Sequence, residues 1–328
     1  MKSTDLNAIL SSFPTADLLD WDTPIQRLKT FERLLNKSNL FIKRDDLTGV
    51  GAGGNKVRNI KYLLGDALQK EADLIIASGQ RESNLCLATA AACAKMGMDC
   101  ILVHNNDSDF DTGNMRLNRI LGVQPHFIGN VSEEERNEYI ENLTVQLQEQ
   151  GRRPYVIENG GTTPIGCLGH VELANELAKQ QSNHCFQNVF VCGGNGGMAA
   201  GLIFGSYLLG NPFKTFVISV ENDKITLDSI LDKLFNEIQH LLRLPAVNKA
   251  DLSFEIIEDY MGEGWGHSTE ESTQMIFEFS RNEGIFIEGV YMAKTAFGTM
   301  DLLQRSIDLD GACLIHSGGF PSIFSQMI

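Results

Sequence analysis

The chain has 328 residues, 43% of them hydrophobic and 21% charged, a balance typical of soluble globular proteins and long enough for two domains or one large one. A formal net charge of −15 argues against a nucleic-acid surface, and the acid-bearing segment before Trp21 has no continuous apolar core of the kind a secretory signal needs. The longest apolar run, GLIFGSYLLG, is too short to span a bilayer, and the seven cysteines form no CxxC pair and no metal-ligand spacing with histidine, so the expectation is a cytoplasmic protein with reduced thiols and neither metal, membrane nor nucleic acid as partner.

Short apolar runs alternate with helical patterns along most of the sequence. LFIKRD (40–45) is the first predicted strand, followed by LTGVGAGGNK and a helix over 55–71. DLIIAS (73–78) leads through GQRESN into a helix over 83–96. DCILVH (99–104), a helix over 113–121, PHFIG (125–129), a helix over 133–150 and PYVIE (154–158) follow. A helix over 165–180 precedes NVFVC (188–192), which passes through GGNGGMAAG into a helix over 198–209. TFVISV (215–220), a helix over 225–242, SFEIIE (253–258), helices over 269–283 and 293–308, and ACLIHS (312–317) complete the series. Strand and helix in alternation predict an α/β fold of mostly parallel sheets covered by helices on both faces. No repeat and no single linker stands out, so two domains would be interleaved. In such folds ligands bind beyond the carboxyl ends of strands.

Four of those ends carry unusual residues. After NVFVC, the glycines of GGNGGM let backbone N–H groups converge at a helix N-terminus, which suits a phosphate. Gly194, Gly196 and Ala199 also fit the dinucleotide pattern G-x-G-x-x-A, with Glu221 placed where a ribose-binding acid would sit; this leaves a nicotinamide oxidoreductase as a rival reading. In VGAGGNKVRNIKYLL, Lys56 stands where glycine-rich backbone gives way to a helix. Schiff-base chemistry needs a neutral amine, and at pH 7 an ordinary lysine lies about 4–5 kcal/mol from that form. Burial lowers the gap, and the glycines before Lys56 leave room for a planar ligand.

These residues carry a resemblance. KRDDLTGVGAGGNKVRNIKYLLGDAL resembles the region around the cofactor lysine of the pyridoxal-phosphate enzymes of the D-cysteine desulfhydrase and 1-aminocyclopropane-1-carboxylate deaminase family, which has the tryptophan-synthase-β-like fold of type II. SGQRESNLCLATAAACAKMGM, TTPIGCLGHVELANEL, VFVCGGNGGMAAGL, GEGWGHSTEES, EGVYMAKTAFG and LIHSGGFPSIF extend it in order over nearly the whole chain. The resemblance implies two interleaved domains, residues 1–58 plus 166–328 and residues 59–165, with pyridoxal 5′-phosphate in the cleft between them and a homodimer as the assembly. It implies that Lys56 holds the cofactor as a Schiff base and shuttles a proton. Asn84 would bond its phenolic oxygen, Ser83 would lie near the substrate carboxylate or a transferred proton, and Gly193, Gly194, Asn195, Gly196, Gly197 and Met198 would wrap its phosphate. Ser317 would face the pyridine nitrogen and Tyr291 the substrate, with Trp265, Met292 and Gly318 in the substrate pocket. Several of these also have purely structural readings: helix N-cap for Ser83, turn former for Ser317, core aromatic for Tyr291.

The sequence departs from the family at instructive places. Arg81, Glu82 and Leu85 flank Ser83-Asn84 where the family has glutamine or histidine. Met292 follows Tyr291 where deaminases have glutamate and desulfhydrases threonine. Ser317 stands where deaminases have leucine and desulfhydrases threonine, and Trp265 replaces a second tyrosine. A hydroxyl rather than an acid at the pyridine nitrogen favours expelling charge with a leaving group over storing it in the ring. The expected activity is β-elimination from a small amino acid, as in D-cysteine desulfhydrase. Ring-opening deamination of 1-aminocyclopropane-1-carboxylate and β-replacement are the alternatives within the fold, and a cofactor-carrying binding protein with little turnover is the alternative outside it.

Overall fold

The computed structural model describes residues 1–106, 112–123, 125–306 and 309–326. All nine predicted strands form, because each is a β-branched or aromatic run bounded by glycine or polar residues. In chain order the strands are β1 (Ile25–Arg27), β2 (Leu40–Lys43), β3 (Leu74–Gly79), β4 (Asp99–His104), β5 (Pro125–Phe127), β6 (Pro154–Ile157), β7 (Asn188–Gly193), β8 (Lys214–Ser219), β9 (Phe254–Ile257) and β10 (Ala312–Ile315). They make two sheets, a six-stranded one in the order β1-β2-β10-β7-β8-β9 and a four-stranded one in the order β5-β4-β3-β6. Every pairing is parallel except β1 with β2, which is an antiparallel edge.

The helices are α1 (Ser3–Leu10), α2 (Lys29–Leu35), α3 (Lys56–Gln69), α4 (Asn84–Met96), α5 (Gly113–Ile120), α6 (Glu133–Glu149), α7 (Pro164–Gln180), α8 (Gly197–Leu208), α9 (Lys224–Leu241), α10 (Glu270–Glu283) and α11 (Met292–Arg305). They cover both faces of both sheets. On the larger sheet, α7, α8 and α9 close one core around Leu202, Val217 and Leu231, and α2, α10 and α11 close the other around Phe190, Phe279 and Ala296. On the smaller sheet, α3 and α4 pack Ile60, Ile75 and Ala90 together, while α6 brings Ile140 against Ile76 and Val103. This is why β3 is buried along its whole length.

Three elements, α1, β1 and α2, have no counterpart in the predicted series. Each is short, and β1, with the sequence IQR, has no apolar run to mark it. The predicted strand 40–45 stops at Lys43, since Asp45 opens a turn of 3₁₀ helix over Asp45–Leu47. The predicted helix 293–308 ends at Arg305; its last two positions lie outside the described residues.

Helices α3 and α7 join the two sheets. Lys61 pairs with Glu172 at 2.8 Å, Asn59 meets the His170 ring at 2.9 Å and Arg58 reaches Glu176 at 2.8 Å, so one turn near the start of α3 is bonded to α7 at three points. The last contact belongs to a fully buried charge cluster in which Arg58 also grips Asp45 at 2.7 Å and Lys43 pairs with Glu176. Burial opposes the charge on Asp45, but the Arg58 guanidinium outweighs it and holds the carboxyl below the usual range. The cluster fixes α3, and with it Lys56, against the end of β2.

Candidate active site

The carboxyl ends of β2, β3, β6, β7, β8 and β10 meet where the two sheets face each other. The loop after β2 turns through Gly53 and Gly54, both at positive φ, and delivers Lys56 as the first residue of α3. A Cβ on Gly54 would stand 2.9 Å from Ser317 O, so only glycine lets this loop lie against the turn after β10. Asn55, just before the lysine, ties three junctions together. Its N–H donates to Ser317 O at 2.9 Å, and its Nδ2 lies 3.5 Å from Met198 Sδ at the start of α8.

Lys56 Nζ donates to Gly160 O at 2.6 Å, in the turn after β6. Burial, opposed by the neighbouring Cys192 and Cys167 and by Glu221, pushes its amine below the ordinary lysine value. Those two thiols are themselves pushed up by burial, to about 11 and about 12, and stay protonated near neutrality. Burial thus moves this lysine toward the neutral amine that carbonyl chemistry requires.

Gly193, Gly194, Asn195, Gly196, Gly197 and Met198 form the turn from β7 into α8, with Gly196 at φ +80° as the N-cap. Their backbone crosses close to the turn after β6: Asn195 Cγ lies 3.0 Å from a Cβ placed on Gly160, and Thr162 Oγ1 lies 3.0 Å from one placed on Gly197. Thr162 Oγ1 is buried and has no hydrogen-bond partner among the described residues. An unpartnered hydroxyl beside a glycine-rich helix N-terminus is an unfilled acceptor or donor position in a cradle shaped for an anion.

Ser83 is the N-cap of α4, its hydroxyl accepting the Cys86 N–H at 3.2 Å. That structural role leaves its own proton free to be donated. Asn84 follows, and its Nδ2 lies 3.0 Å from a Cβ placed on Gly319, which brings α4 to the turn after β10. In that turn Ser317 N–H meets Met292 Sδ at 3.2 Å, and Gly318 packs on Gly54.

Tyr291 and Trp265 face each other, with Trp265 Nε1 donating to the Tyr291 hydroxyl at 2.6 Å. The Tyr291 ring lies 3.3 Å from a Cβ placed on Gly194, so the phenol stands directly beside the glycine-rich turn. Burial raises its pKa, and Trp265 opposes the rise.

All the residues singled out from the sequence thus gather at one place. Thr162 and Gly160, not singled out from the sequence, belong there too, beside Glu221. A fifth strand-end junction, GGTTP after PYVIE, was the available signal for the first two. Glu221 Oε2 lies 3.4 Å from a Cβ on Gly194, and burial, with Glu133 adding to it, raises its pKa while Lys56 pulls it down.

Comparison with known proteins agrees over the same span. The sequence model of the family described as pyridoxal-phosphate dependent enzyme matches residues 16–318. A Pyrococcus horikoshii protein provisionally named 1-aminocyclopropane-1-carboxylate deaminase is 37% identical over 317 residues, covering 97% of this chain and 95% of its own. A D-cysteine desulfhydrase of Yersinia enterocolitica is 31% identical over 325 residues, 96% of this chain and 97% of that one. The crystal structure of an ACC deaminase homologue superposes with a TM-score of 0.89 at 36% identity, covering 98% and 96% of the two chains. A nicotinamide enzyme would have left Lys56 and the turn after β10 without a purpose. The glycine cradle, the lysine and the match across residues 16–318 have one explanation: this chain belongs to the pyridoxal-phosphate dependent enzymes.

Proposed function

We propose that the protein is a lyase that eliminates the β-substituent of a small amino acid, with D-cysteine as the substrate type, releasing sulfide, ammonia and pyruvate. The balance is one cysteine and one water to one each of hydrogen sulfide, ammonia and pyruvate. The observation that carries this over ring-opening deamination is Met292. It is fully buried, its sulfur receives the Ser317 N–H, and it denies the position after Tyr291 the acid that deaminases carry there, while Ser317 keeps a hydroxyl where desulfhydrases have threonine.

The residues fit pyridoxal phosphate by their chemistry. Thr162 Oγ1 and the backbone N–H groups of 193–198 would hold the phosphate, Lys56 the aldehyde carbon, Asn84 the phenolic oxygen and Ser317 the pyridine nitrogen. When bound, the cofactor withdraws electrons from the α-carbon of the amino acid. The protein supplies the rest. Lys56, held toward its neutral form by burial, accepts a proton. Tyr291, whose oxygen already accepts from Trp265, has its proton free for a leaving group. Ser83, at the N-terminus of α4, would meet a carboxylate with its hydroxyl, aided by the positive end of the helix.

The same reading divides the chain into lobes 1–58 plus 166–328 and 59–165. Its support is that β3 to β6 fall inside the second range and all other strands outside it. A homodimer in the cytoplasm completes the proposal, supported by family resemblance; no helix among the described residues is long and apolar enough to cross a membrane.

The test is product release from D-cysteine, L-cysteine, β-chloro-D-alanine and 1-aminocyclopropane-1-carboxylate by protein loaded with pyridoxal phosphate. Faster pyruvate release from a β-substituted amino acid than 2-oxobutyrate release from the cyclopropane supports elimination. The reverse order replaces it with deamination, and no turnover of any of the four removes the lyase reading.

A further inference from the structure

Asn114, near the start of α5, is fully buried. Its Nδ2 donates to two oxygens, Glu82 O at 2.8 Å and Asn84 Oδ1 at 3.0 Å. Its backbone N–H donates to Glu82 Oε2 at 2.9 Å, so main chain and side chain are both held by the turn that opens α4. Gly113 makes this grip possible: it sits at φ +51°, and a Cβ there would collide with the Glu82 carboxylate.

The order of these bonds fixes an orientation. A backbone carbonyl can only accept, so Glu82 O requires the NH₂ side of the Asn114 amide to face it. The same NH₂ group then faces Asn84, which must answer with its oxygen. Asn84 Nδ2 is consequently turned away from α5 and toward the turn after β10, where it lies 3.0 Å from a Cβ placed on Gly319. Were either amide reversed, oxygen would face oxygen or NH₂ would face NH₂ in a buried place.

We propose that Asn114 is a positioning residue for the cofactor: it locks the Asn84 amide so that an N–H, and not the amide oxygen, is presented to the phenolic oxygen of pyridoxal phosphate. This rests on the reading of Asn84 given above. A phenolate accepts a hydrogen bond and is repelled by a carbonyl oxygen, so the two orientations of one amide differ in sign of interaction. Locking the favourable orientation before binding removes an ordering cost from the binding step. Glu82, where the resembled family has glutamine, serves the same end by accepting the Asn114 N–H with its Oε2.

The experiment is a double-mutant cycle read as the dissociation constant of pyridoxal phosphate, measured by the visible absorbance that appears on binding. Asn114→Leu is close in shape and removes both side-chain donors; Asn114→Ala is the second variant should the first fail to fold. Each single change, Asn84→Ala and Asn114→Leu, is expected to weaken binding about tenfold, as one hydrogen bond to a charged oxygen would. The double variant is expected to bind no more weakly than Asn84→Ala, and the visible band is expected to shift alike in both single variants. If the Asn114 change weakens binding by the same factor with and without the Asn84 amide, or has no effect, Asn114 does not act through Asn84 and the proposal is overturned. If Asn84→Ala itself leaves affinity and band unchanged, the assignment of Asn84 falls first and takes this inference with it.

Discussion

Trp265 Nε1 donates to the hydroxyl of Tyr291 at 2.6 Å. An indole N–H has no acceptor capacity, so the phenol oxygen is the acceptor and its proton must point elsewhere. Both partners are pinned. Lys294 on α11 donates to Met261 O at 2.7 Å and Gly264 O at 2.6 Å, fixing the turn that carries Trp265. The buried Glu288 carboxylate accepts the N–H groups of Val290, Tyr291 and Met292 at 2.7, 2.9 and 2.7 Å and caps α11. The tryptophan that replaces the family's second tyrosine therefore adds no hydroxyl; its N–H holds the Tyr291 hydroxyl in place.

Replacing Tyr291 with phenylalanine is expected to lower kcat for sulfide release from D-cysteine by about a hundredfold or more, as loss of a general acid does. Trp265→Phe removes only the orienting bond and is expected to lower kcat by about two- to tenfold with KM less affected. Steady-state kinetics on the two variants decide it. Equal losses for both would mean that the Tyr291 proton is not the group being used.

Ser317→Ala is expected to weaken pyridoxal-phosphate binding by about two- to tenfold, the worth of one neutral hydrogen bond. Ser317→Asp is expected to behave differently, because a carboxylate favours a protonated pyridine nitrogen and so a longer-lived carbanion. A new absorption band to the red of the resting one should build on adding D-cysteine while elimination slows. Parallel losses in the two variants, with no new band, would reduce Ser317 to a turn former.

The buried cluster around Arg58 is expected to stabilise the fold only while complete. Arg58→Met strands Asp45 without its ion pair and leaves Glu176 with Lys43 alone, and should cost about 3–5 kcal/mol in urea unfolding. Arg153→Met, at the exposed pair with Glu71, is the control and should leave stability nearly unchanged.

His170 carries a pH dependence of known sign. Burial depresses its folded pKa to about 3, against about 6.5 when unfolded, so below pH 6.5 the unfolded chain takes up a proton that the folded chain refuses. Its contribution is present above pH 6.5 and is lost as pH falls toward 3, amounting to about 2 kcal/mol between pH 7 and pH 5. His170→Gln keeps a donor for Asn59 Oδ1 and removes the titration. Unfolding free energies at pH 7 and pH 5 should therefore differ by about 2 kcal/mol less in the variant than in the parent. Equal differences would mean that another group sets the acid limb.

Much of this arrangement is legible in the sequence. The central parallel strands announce themselves because they are buried on both faces, β3 and β10 along their whole length, and read as unbroken apolar runs. Lys56, the 193–198 turn and Ser317 announce themselves through glycine at strand ends. What stays hidden is whatever depends on contact between distant segments. Thr162 follows an ordinary-looking strand, and only its approach to Gly197 makes it part of the cradle. Asn114 has no local signal beyond a glycine before it. Its meaning comes from Glu82 and Asn84, about thirty residues earlier. The short edge strand β1 is held by pairing with β2, not by its own composition.

The assignment of Lys56 is tested most directly by reducing the protein loaded with pyridoxal phosphate with borohydride and locating the modified residue by mass spectrometry. Loss of the visible band together with a single phosphopyridoxyl group on the peptide containing Lys56 is the expected result. A modification on Lys294, Lys61 or any other lysine, or no stable modification, would contradict it.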